Sequence, residues 1–412
     1  MSLFAKMFAK KVAQDKSSAE PGDVDFVMAL SFHLRGEQER ALVSYTRLAE
    51  KLPGDNLVPF FAAAITAEKG NVIEAVRGLS SLSRRISAAG ESISRAIAME
   101  LLALLSDQTI PFRIPAVAEL VVSFGDLLKK EGSVRESAVC FEIATGLVPD
   151  NAHMLHKLGD TLHDLRIYDY AESVLLEAIR CAPNHWGALY TYAVLLQDLG
   201  RNEDAIAYYE KAVRLIPTHV NSQNNYGAAL LRANRVEEAL VHCTLAADLD
   251  PKAPLVKINL GYIHLLQKEY EKARISFTEA ISLKNDLAPA YYGLASVEQA
   301  AGGDPERLKE LYARAIEINP AFPEAHHALG NLLASQGDPE ALTHFSAAAQ
   351  LNNKQRNLHK DFGLACLQSG RREEALEQLK MALEQSPDDA VVQDLIAKTQ
   401  AEKETGHAET AH

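Results

Sequence analysis

Apolar and polar positions alternate with helical spacing in the stretch that begins at Trp186. One apolar set is followed by the polar run GRNE at residues 200–203, and a second apolar set ends at Pro217. The sets are Leu189, Tyr192, Ala193 and Leu196, and then Ala205, Tyr209 and Ala212. This pattern predicts two amphipathic helices joined by a tight turn, because a proline cannot continue the second helix.

The same pattern recurs with a fixed period. Prolines follow one another at intervals of 34 residues, and so does a series of alanines in the second helix. These positions are Pro149, Pro183, Pro217 and Pro251, and Ala171, Ala205, Ala239 and Ala273. Small residues also recur in the first helix, at Gly159, Ala193, Gly227 and Gly261. We expect the two helices of each unit to cross closely where both carry a small residue.

These residues together resemble the tetratricopeptide repeat (TPR) pattern, in which Leu-Gly, an aromatic residue, alanine and a terminal proline recur on a 34-residue period. The resemblance implies an all-α helix-turn-helix solenoid wound as a right-handed superhelix. About ten repeats are expected, with one non-repeat helical insert. The long array is similar to the superhelix of O-GlcNAc-transferase-like proteins, without a catalytic domain.

Breaks in the period divide the chain into five predicted segments. These are an amphipathic helix and linker at 1–20, two repeats at 21–89, a helical insert with a proline-containing loop at 90–117, eight repeats at 118–389, and a capping helix with a disordered tail at 390–412. The insert is interpreted as a spacer that changes the curvature of the array, and a hinge between two lobes is the alternative.

The N-terminal segment places apolar residues, including Phe4 and Phe8, on one helical face and lysines such as Lys10 elsewhere. Three interpretations remain open: a helix that caps the first repeat, a docking peptide for a partner, and a helix that makes peripheral contact with a membrane surface.

Charge, cysteine spacing and the motifs present argue against several classes of function. The net charge of −13 argues against nucleic-acid binding, which needs a basic face. The four cysteines lie far apart and match neither a metal motif nor a disulfide framework, which indicates reduced thiols in the cytoplasm. No apolar run is long enough for a transmembrane segment. No phosphate loop or nucleophile motif is present, so neither an enzyme nor a cofactor is expected.

One polar cluster invites a chemical hypothesis. His153, His156, Asp160, His163 and Asp164 share a face of one predicted helix. A divalent metal site or a pH-responsive patch is one interpretation. A polar groove surface with some His–Asp contacts is the interpretation we favour, because one helix rarely directs more than two ligands at one ion.

The resemblance also implies a groove lined by the first helix of each repeat. Its predicted lining is Lys129, His156, Asp160, His163, Tyr190, Gln197, Asp198, Asn221, Asn224, Asn225, Arg232, Ile258, Asn259, Tyr262, Tyr292, Gln299, His327 and Asn331. Asn225 and Asn259 form only two rungs of the asparagine ladder of O-GlcNAc-transferase-like arrays. The carboxylate clamp of chaperone-binding TPR proteins is not matched, since His327 and Asp361 stand where the clamp needs lysine and asparagine.

The predicted function is a protein-interaction scaffold that binds a partner protein or peptide in this groove and organises a complex. One alternative is self-assembly into a homo-oligomer through the N-terminal helix, at a membrane surface or elsewhere. Another is a regulatory or targeting subunit of an enzyme such as a glycosyltransferase.

Overall fold

The computed structural model describes residues 21–52, 55–88, 97–98, 114–352, 354–355 and 357–409. Within these ranges the chain forms twenty-one helices and no strand. The all-α repeat fold predicted from the sequence is confirmed. The chain divides into two compact units, Met1–Pro217 and Thr218–His412.

The helices of the first unit come in consecutive pairs, and we call the first helix of each pair helix A and the second helix B. The pairs are α1 Pro21–Leu34 and α2 Gln38–Lys51, α3 Leu57–Glu68 and α4 Val72–Ala88, α5 Ile114–Lys130 and α6 Val134–Leu147, α7 Ala152–Asp164 and α8 Tyr168–Cys181, and α9 Trp186–Asp198 and α10 Asn202–Leu215.

The second unit continues the alternation and ends with one long helix. Its helices are α11 Val220–Arg232 and α12 Val236–Leu249, α13 Pro254–Leu266 and α14 Tyr270–Leu283, α15 Ala288–Ala300 and α16 Pro305–Ile318, α17 Pro323–Ser335 and α18 Ala341–Leu351, α19 Leu358–Gln368 and α20 Arg372–Gln385, and α21 Ala390–Glu409.

Helices A and B cross at the small residues that the period singled out. A Cβ added at Gly159 would lie 2.5 Å from the Leu175 side chain, and one at Gly261 would lie 2.7 Å from the Phe277 ring. The recurring alanines of helix B, such as Ala239, have no exposed surface. The predicted close crossing is therefore confirmed, and it explains why larger residues do not stand at these positions.

The turn between helices A and B uses a left-handed residue at a fixed place in the repeat. Gly200 has a φ of 77°, and Lys268 holds the equivalent conformation with a φ of 60°. This conformation costs an ordinary side chain on the order of 1 kcal/mol, whereas glycine adopts it freely. The repeats with a non-glycine residue here keep the turn because its backbone N–H bonds back to helix A, as Lys268 does to Leu265.

Two helices extend beyond the ends expected from the sequence. Helix α5 begins at Ile114, before the expected start near Ala118, and it tolerates Pro115 because a proline is compatible with the first helical turn. Helix α21 extends to Glu409 although the sequence favoured a disordered tail. Residues 1–20, 89–96 and 99–113 lie outside the described residues, so the N-terminal helix and the spacer or hinge at 90–117 stay predictions.

Candidate functional site

In the first unit, charged side chains connect the A helices of consecutive repeats. Lys129 on α5 places its Nζ 2.6 Å from Asp160 Oδ2 and 2.8 Å from Asp164 Oδ2, both on α7. Lys157 on α7 returns the contact, with its Nζ 2.7 Å from Asp126 Oδ1 on α5. Burial alone would lower the pKa of Lys129, but the hydrogen bonds that its ammonium donates to Asp160 and Asp164 outweigh this effect, so the pKa is raised.

The next pair of A helices is joined by imidazoles. His163 on α7 has its Nε2 2.9 Å from Asp198 Oδ2 on α9. His156 has its Nε2 3.1 Å from Thr191 Oγ1, and that hydroxyl lies 3.4 Å from Asp160 Oδ1. Burial lowers the pKa of His156 to about 4. The His156 imidazole is therefore neutral at pH 7.

We call the surface formed by Asp126, Lys129, Lys157, Asp160, Asp164 and Asp198 the acidic A-helix face. Its four aspartate side chains are 43–47% exposed, whereas Lys129 and Lys157 are 27% and 24% exposed. Carboxylates therefore outnumber ammonium groups and are also the more accessible charges. The formal charges of these six side chains sum to −2.

The polar cluster for which a metal site was one of two interpretations divides between different partners. His163 is engaged with Asp198. His153 and His156 instead meet His185, with one nitrogen of each within 4.8 Å of the others. His185 was not part of the predicted cluster because it precedes helix α9 by one residue and does not belong to the helical face of α7.

Two other predicted groove residues of the first unit make contacts within their own repeat. Tyr190 stacks on Trp186 with ring centroids 5.6 Å apart. Gln197 accepts a hydrogen bond from the Tyr209 hydroxyl at 3.4 Å. In the second unit Gln299 does the same for Tyr312, at 2.6 Å. The two glutamines therefore tie helix A to helix B within their repeats.

Four of the predicted groove residues are more covered than an open groove implies, and they share one position of the repeat. His156, Asn224, Ile258 and His327 occupy it in different repeats, and the last three are only 6%, 5% and 9% exposed. Ile258 belongs to the hydrophobic core. In these four repeats the side chain packs toward the A helix of the following repeat, whereas Tyr190 and Tyr292 at the same position stay half-buried.

Polar residues at this position hydrogen-bond to the next repeat. Within the second unit, Asn259 Nδ2 donates to Asn224 Oδ1 at 2.9 Å, and His327 Nε2 lies 2.8 Å from Asp361 Oδ2. In the first unit His156 contacts Thr191 in the same register. The Asn259 amide nitrogen thus donates a hydrogen bond within the protein, whereas an asparagine ladder would direct it toward a bound peptide.

The remaining predicted residues of the second unit are less covered. Asn221 and Arg232 are exposed, Asn225 is half-buried, and Asn331 Nδ2 donates to Asp361 Oδ2 at 3.3 Å. Tyr262 donates from its hydroxyl to the Pro289 carbonyl at 3.0 Å. Tyr292 packs against Phe322 with ring centroids 5.2 Å apart. Burial raises the pKa of both tyrosines.

No helix among the described residues is both long and apolar enough to cross a membrane. The described cysteines make no disulfide: Cys140, Cys243 and Cys366 are buried thiols and Cys181 is partly buried.

Four family models described as tetratricopeptide repeat match the sequence, at residues 190–254, 256–287, 311–341 and 339–399. The matched residues lie in helix pairs whose A helices begin 34 or 35 residues apart. The chain is a TPR protein. TPR repeats support a role as a protein-interaction scaffold in general, and proteins built from them are generally non-catalytic.

Solved TPR structures resemble the chain over different lengths. YrrB, a TPR protein with an unusual peptide-binding site, is 24% identical, with 45% of this chain and 96% of that one covered and a TM-score of 0.35. A TPR protein from Parabacteroides merdae is 17% identical, with 60% and 98% covered and a TM-score of 0.47. The human IFIT1 dimer with m7Gppp-AAAA is 17% identical, with 93% and 95% covered and a TM-score of 0.48. No curated protein matches this TPR chain.

Proposed function

We propose that this TPR protein is an interaction scaffold whose acidic A-helix face binds a cationic segment of a partner protein. The observation that carries the proposal is the charge distribution on α5, α7 and α9, where four half-exposed aspartates outnumber two more covered lysines. A partner lysine or arginine complements this surface, and a carboxylate is repelled by it.

The face is held in place before a partner arrives. Its contacts join residues on separate helices, as in the 2.7 Å pair of Lys157 and Asp126 and the 2.9 Å pair of His163 and Asp198. Helices fixed by such contacts and by their packed crossings lose little freedom on binding, so most of the ordering cost falls on the partner segment. Electrostatic attraction also speeds encounter and weakens as salt rises.

Fluorescence anisotropy with two labelled peptides of equal length tests the proposal, one rich in Lys and Arg and the other rich in Glu. The double variant Asp160→Asn and Asp164→Asn removes two carboxylates from the face. The matched control, Asp169→Asn with Glu203→Gln, removes two exposed carboxylates from the B helices α8 and α10.

We expect the basic peptide to bind the parent and the control, and to bind the face variant about tenfold more weakly, since each lost contact contributes roughly 0.7 kcal/mol. Raising the salt concentration should weaken binding to the parent. Equal binding of the acidic and basic peptides, or equal binding by the face variant and the control, contradicts the proposal.

Self-assembly through residues 1–20 and a role as an enzyme subunit stay predictions of the sequence. A chain that lacks residues 1–20 separates the first of these from the scaffold proposal. Loss of oligomers with helicity retained supports self-assembly, and binding of the basic peptide by the shortened chain supports the A-helix face as the binding surface.

A further inference from the structure

Three imidazoles meet where helix α7 approaches the start of helix α9. His153 and His156 lie one turn apart on α7, and His185 is the N-cap residue of α9. One nitrogen of each lies within 4.8 Å of the others. The ring centroids are 5.2 Å apart for His156 and His185 and 6.1 Å apart for His153 and His185.

We propose that His153, His156 and His185 bind a divalent transition-metal ion of the zinc class, with the remaining coordination position open to solvent or to a partner's ligand. Three histidine nitrogens with one open position form a donor set that zinc accepts, and imidazole also suits nickel and copper. Because the ligands belong to two consecutive repeats, the ion would link helix α7 to helix α9.

The distances are compatible with such a site after small side-chain rotations. Zinc–nitrogen bonds of about 2.0–2.1 Å in a tetrahedral arrangement place ligand nitrogens about 3.4 Å apart. The present nitrogens therefore need to approach by on the order of 1 Å. His153 is exposed, so its side chain has room to make this movement.

The most buried of the three imidazoles is already arranged as a ligand. His156 Nε2 lies 3.1 Å from Thr191 Oγ1, which lies 3.4 Å from Asp160 Oδ1. With its proton on Nε2, His156 donates to Thr191 and leaves Nδ1 unprotonated for a metal. Metal-binding histidines are commonly oriented by a hydrogen bond from the other ring nitrogen, as here.

A glycine lets this ring lie directly against helix α9. A Cβ added at Gly187 would lie 2.5 Å from His156 Cε1 and 2.9 Å from its Nδ1. Gly187 stands two residues after His185, so the backbone of α9 passes close enough to bring the two imidazoles together. A larger residue at position 187 would push His156 away from His185 without removing any ligand.

His185 changes its hydrogen bond when it binds a metal. In the present structure its Nδ1 accepts from the Ala188 backbone N–H at 3.1 Å. Ligation through Nε2 requires the proton on Nδ1, so the cap bond would be exchanged for the metal bond. This change occurs next to Trp186, the only tryptophan in the chain, whose emission therefore reports on the site.

The chain offers a matched control for His185. His219 caps helix α11 in the same way, with its Nδ1 accepting from the Ser222 N–H at 3.1 Å. The residues of α9 that correspond to His153 and His156 are Gly187 and Tyr190, so His219 has no imidazole partners at those positions. Substitution of His219 thus removes a helix cap without removing a proposed ligand.

The test uses the full chain after treatment with a chelator and removal of the chelator. Co²⁺ is added as a spectroscopic probe, binding is followed by visible absorption and Trp186 emission, and Zn²⁺ is then added as a competitor. The variants are His153→Ala, His185→Ala, Gly187→Ala and the control His219→Ala. Far-UV circular dichroism checks that each variant keeps its helical content.

We expect the parent and the His219 variant to bind one Co²⁺ with the strong visible bands of a four- or five-coordinate nitrogen site, and Zn²⁺ to displace it. The His153 and His185 variants should bind at least tenfold more weakly, and Gly187→Ala should also weaken binding although it keeps all three imidazoles. His153 is exposed, so its substitution tests ligation without disturbing the core.

Absence of Co²⁺ and Zn²⁺ binding by the parent overturns the proposal. So does binding that persists unchanged in both the His153 and the His185 variant, since the ion would then be held elsewhere. Neither result affects the proposed binding of a cationic peptide, which is measured in the absence of metal.

Discussion

Gly227 gives the sharpest test of the packing between helices A and B. A Cβ added there would overlap the Cys243 sulfur and lie 3.2 Å from the Ala239 carbonyl oxygen. Both neighbours are fully buried on helix α12, so neither can move into solvent. The substitution Gly227→Ala therefore forces α11 and α12 apart or pushes Cys243 out of its preferred rotamer.

The expected magnitude follows from two opposed effects. Alanine is favoured over glycine in a helix interior by about 1 kcal/mol. Forced insertion into a packed core costs about 1–3 kcal/mol, and more for a side chain as large as leucine. We expect Gly227→Ala to lower the free energy of unfolding by about 1 kcal/mol and Gly227→Leu to lower it by several kcal/mol.

Urea denaturation followed by circular dichroism measures these changes, and two further variants isolate their cause. Gly78→Ala makes the same substitution on α4, where among the described residues only the Ala63 Cβ lies within 4 Å, at 3.8 Å, so it should stabilise the protein by about 0.5–1 kcal/mol. Cys243→Ala removes the sulfur that the new methyl group meets, so the double variant should be more stable than the sum of the single changes predicts. If Gly227→Leu unfolds at the parent's midpoint, or if no coupling with Cys243 is found, the close crossing at Gly227 is refuted.

Three further predictions concern titration, thiols and turns. The folded pKa of His156 is about 4 because burial disfavours its charge, with the neighbouring His185, His153 and Lys157 acting in the same direction and Asp160 opposing them. As pH falls, the imidazole is protonated in the unfolded chain before it is protonated in the folded chain. The free energy of unfolding is therefore greatest above the ordinary histidine pKa of about 6.5 and decreases as pH falls toward 4. This decrease in the free energy of unfolding is at most about 3 kcal/mol. If a His156→Gln variant shows the same dependence of stability on pH between 4 and 6.5 as the parent, the lowered pKa of His156 is contradicted. A thiol reagent at neutral pH should react with Cys181 alone in the native chain. Burial raises the pKa of Cys243 to about 12 and that of Cys366 to about 11, and it raises the pKa of Cys140 further. Rapid labelling of more than one thiol would be inconsistent with this packing. Lys268→Gly should raise the free energy of unfolding by about 0.5–1 kcal/mol, because glycine adopts the left-handed backbone conformation without strain. Gly302 has a φ of 75°, so Gly302→Ala should lower the free energy of unfolding. Thermal melting that shows the opposite order would count against the turn geometry.

The sequence predicted the helices and their crossings well because several positions recur in phase. Gly227 and Ala239, for instance, are small because helices A and B cross closely there. The recurrence of small residues in consecutive repeats predicts this crossing, whereas a single repeat does not. The 34-residue period does not show which side of helix A packs against the A helix of the following repeat. Asn224 and Asn225 are adjacent in sequence and differ by about 100° around the helix, yet only contacts decide that Asn224 is the buried one.

The candidate sites depended on contacts that cross between repeats. Asp160 and Asp164 were recognisable as polar residues on one face, but their shared partner Lys129 lies on the preceding A helix. His185 was missed for the same reason, since its neighbours His153 and His156 come from the repeat before it. Side-chain direction also mattered, because Gln197 turns toward Tyr209 on helix B.

The left-handed turn has a consequence for how the chain accommodates changes in length. Three residues separate α9 from α10, whereas four separate α15 from α16, and the added residue, Gly303, lies directly after the turn residue Gly302. The core on either side is undisturbed, since Ala295 is fully buried and Leu308 is 3% exposed. One added residue is therefore absorbed at this turn while the core on both sides stays buried, which makes the turn the place to graft an epitope or a small domain onto the array.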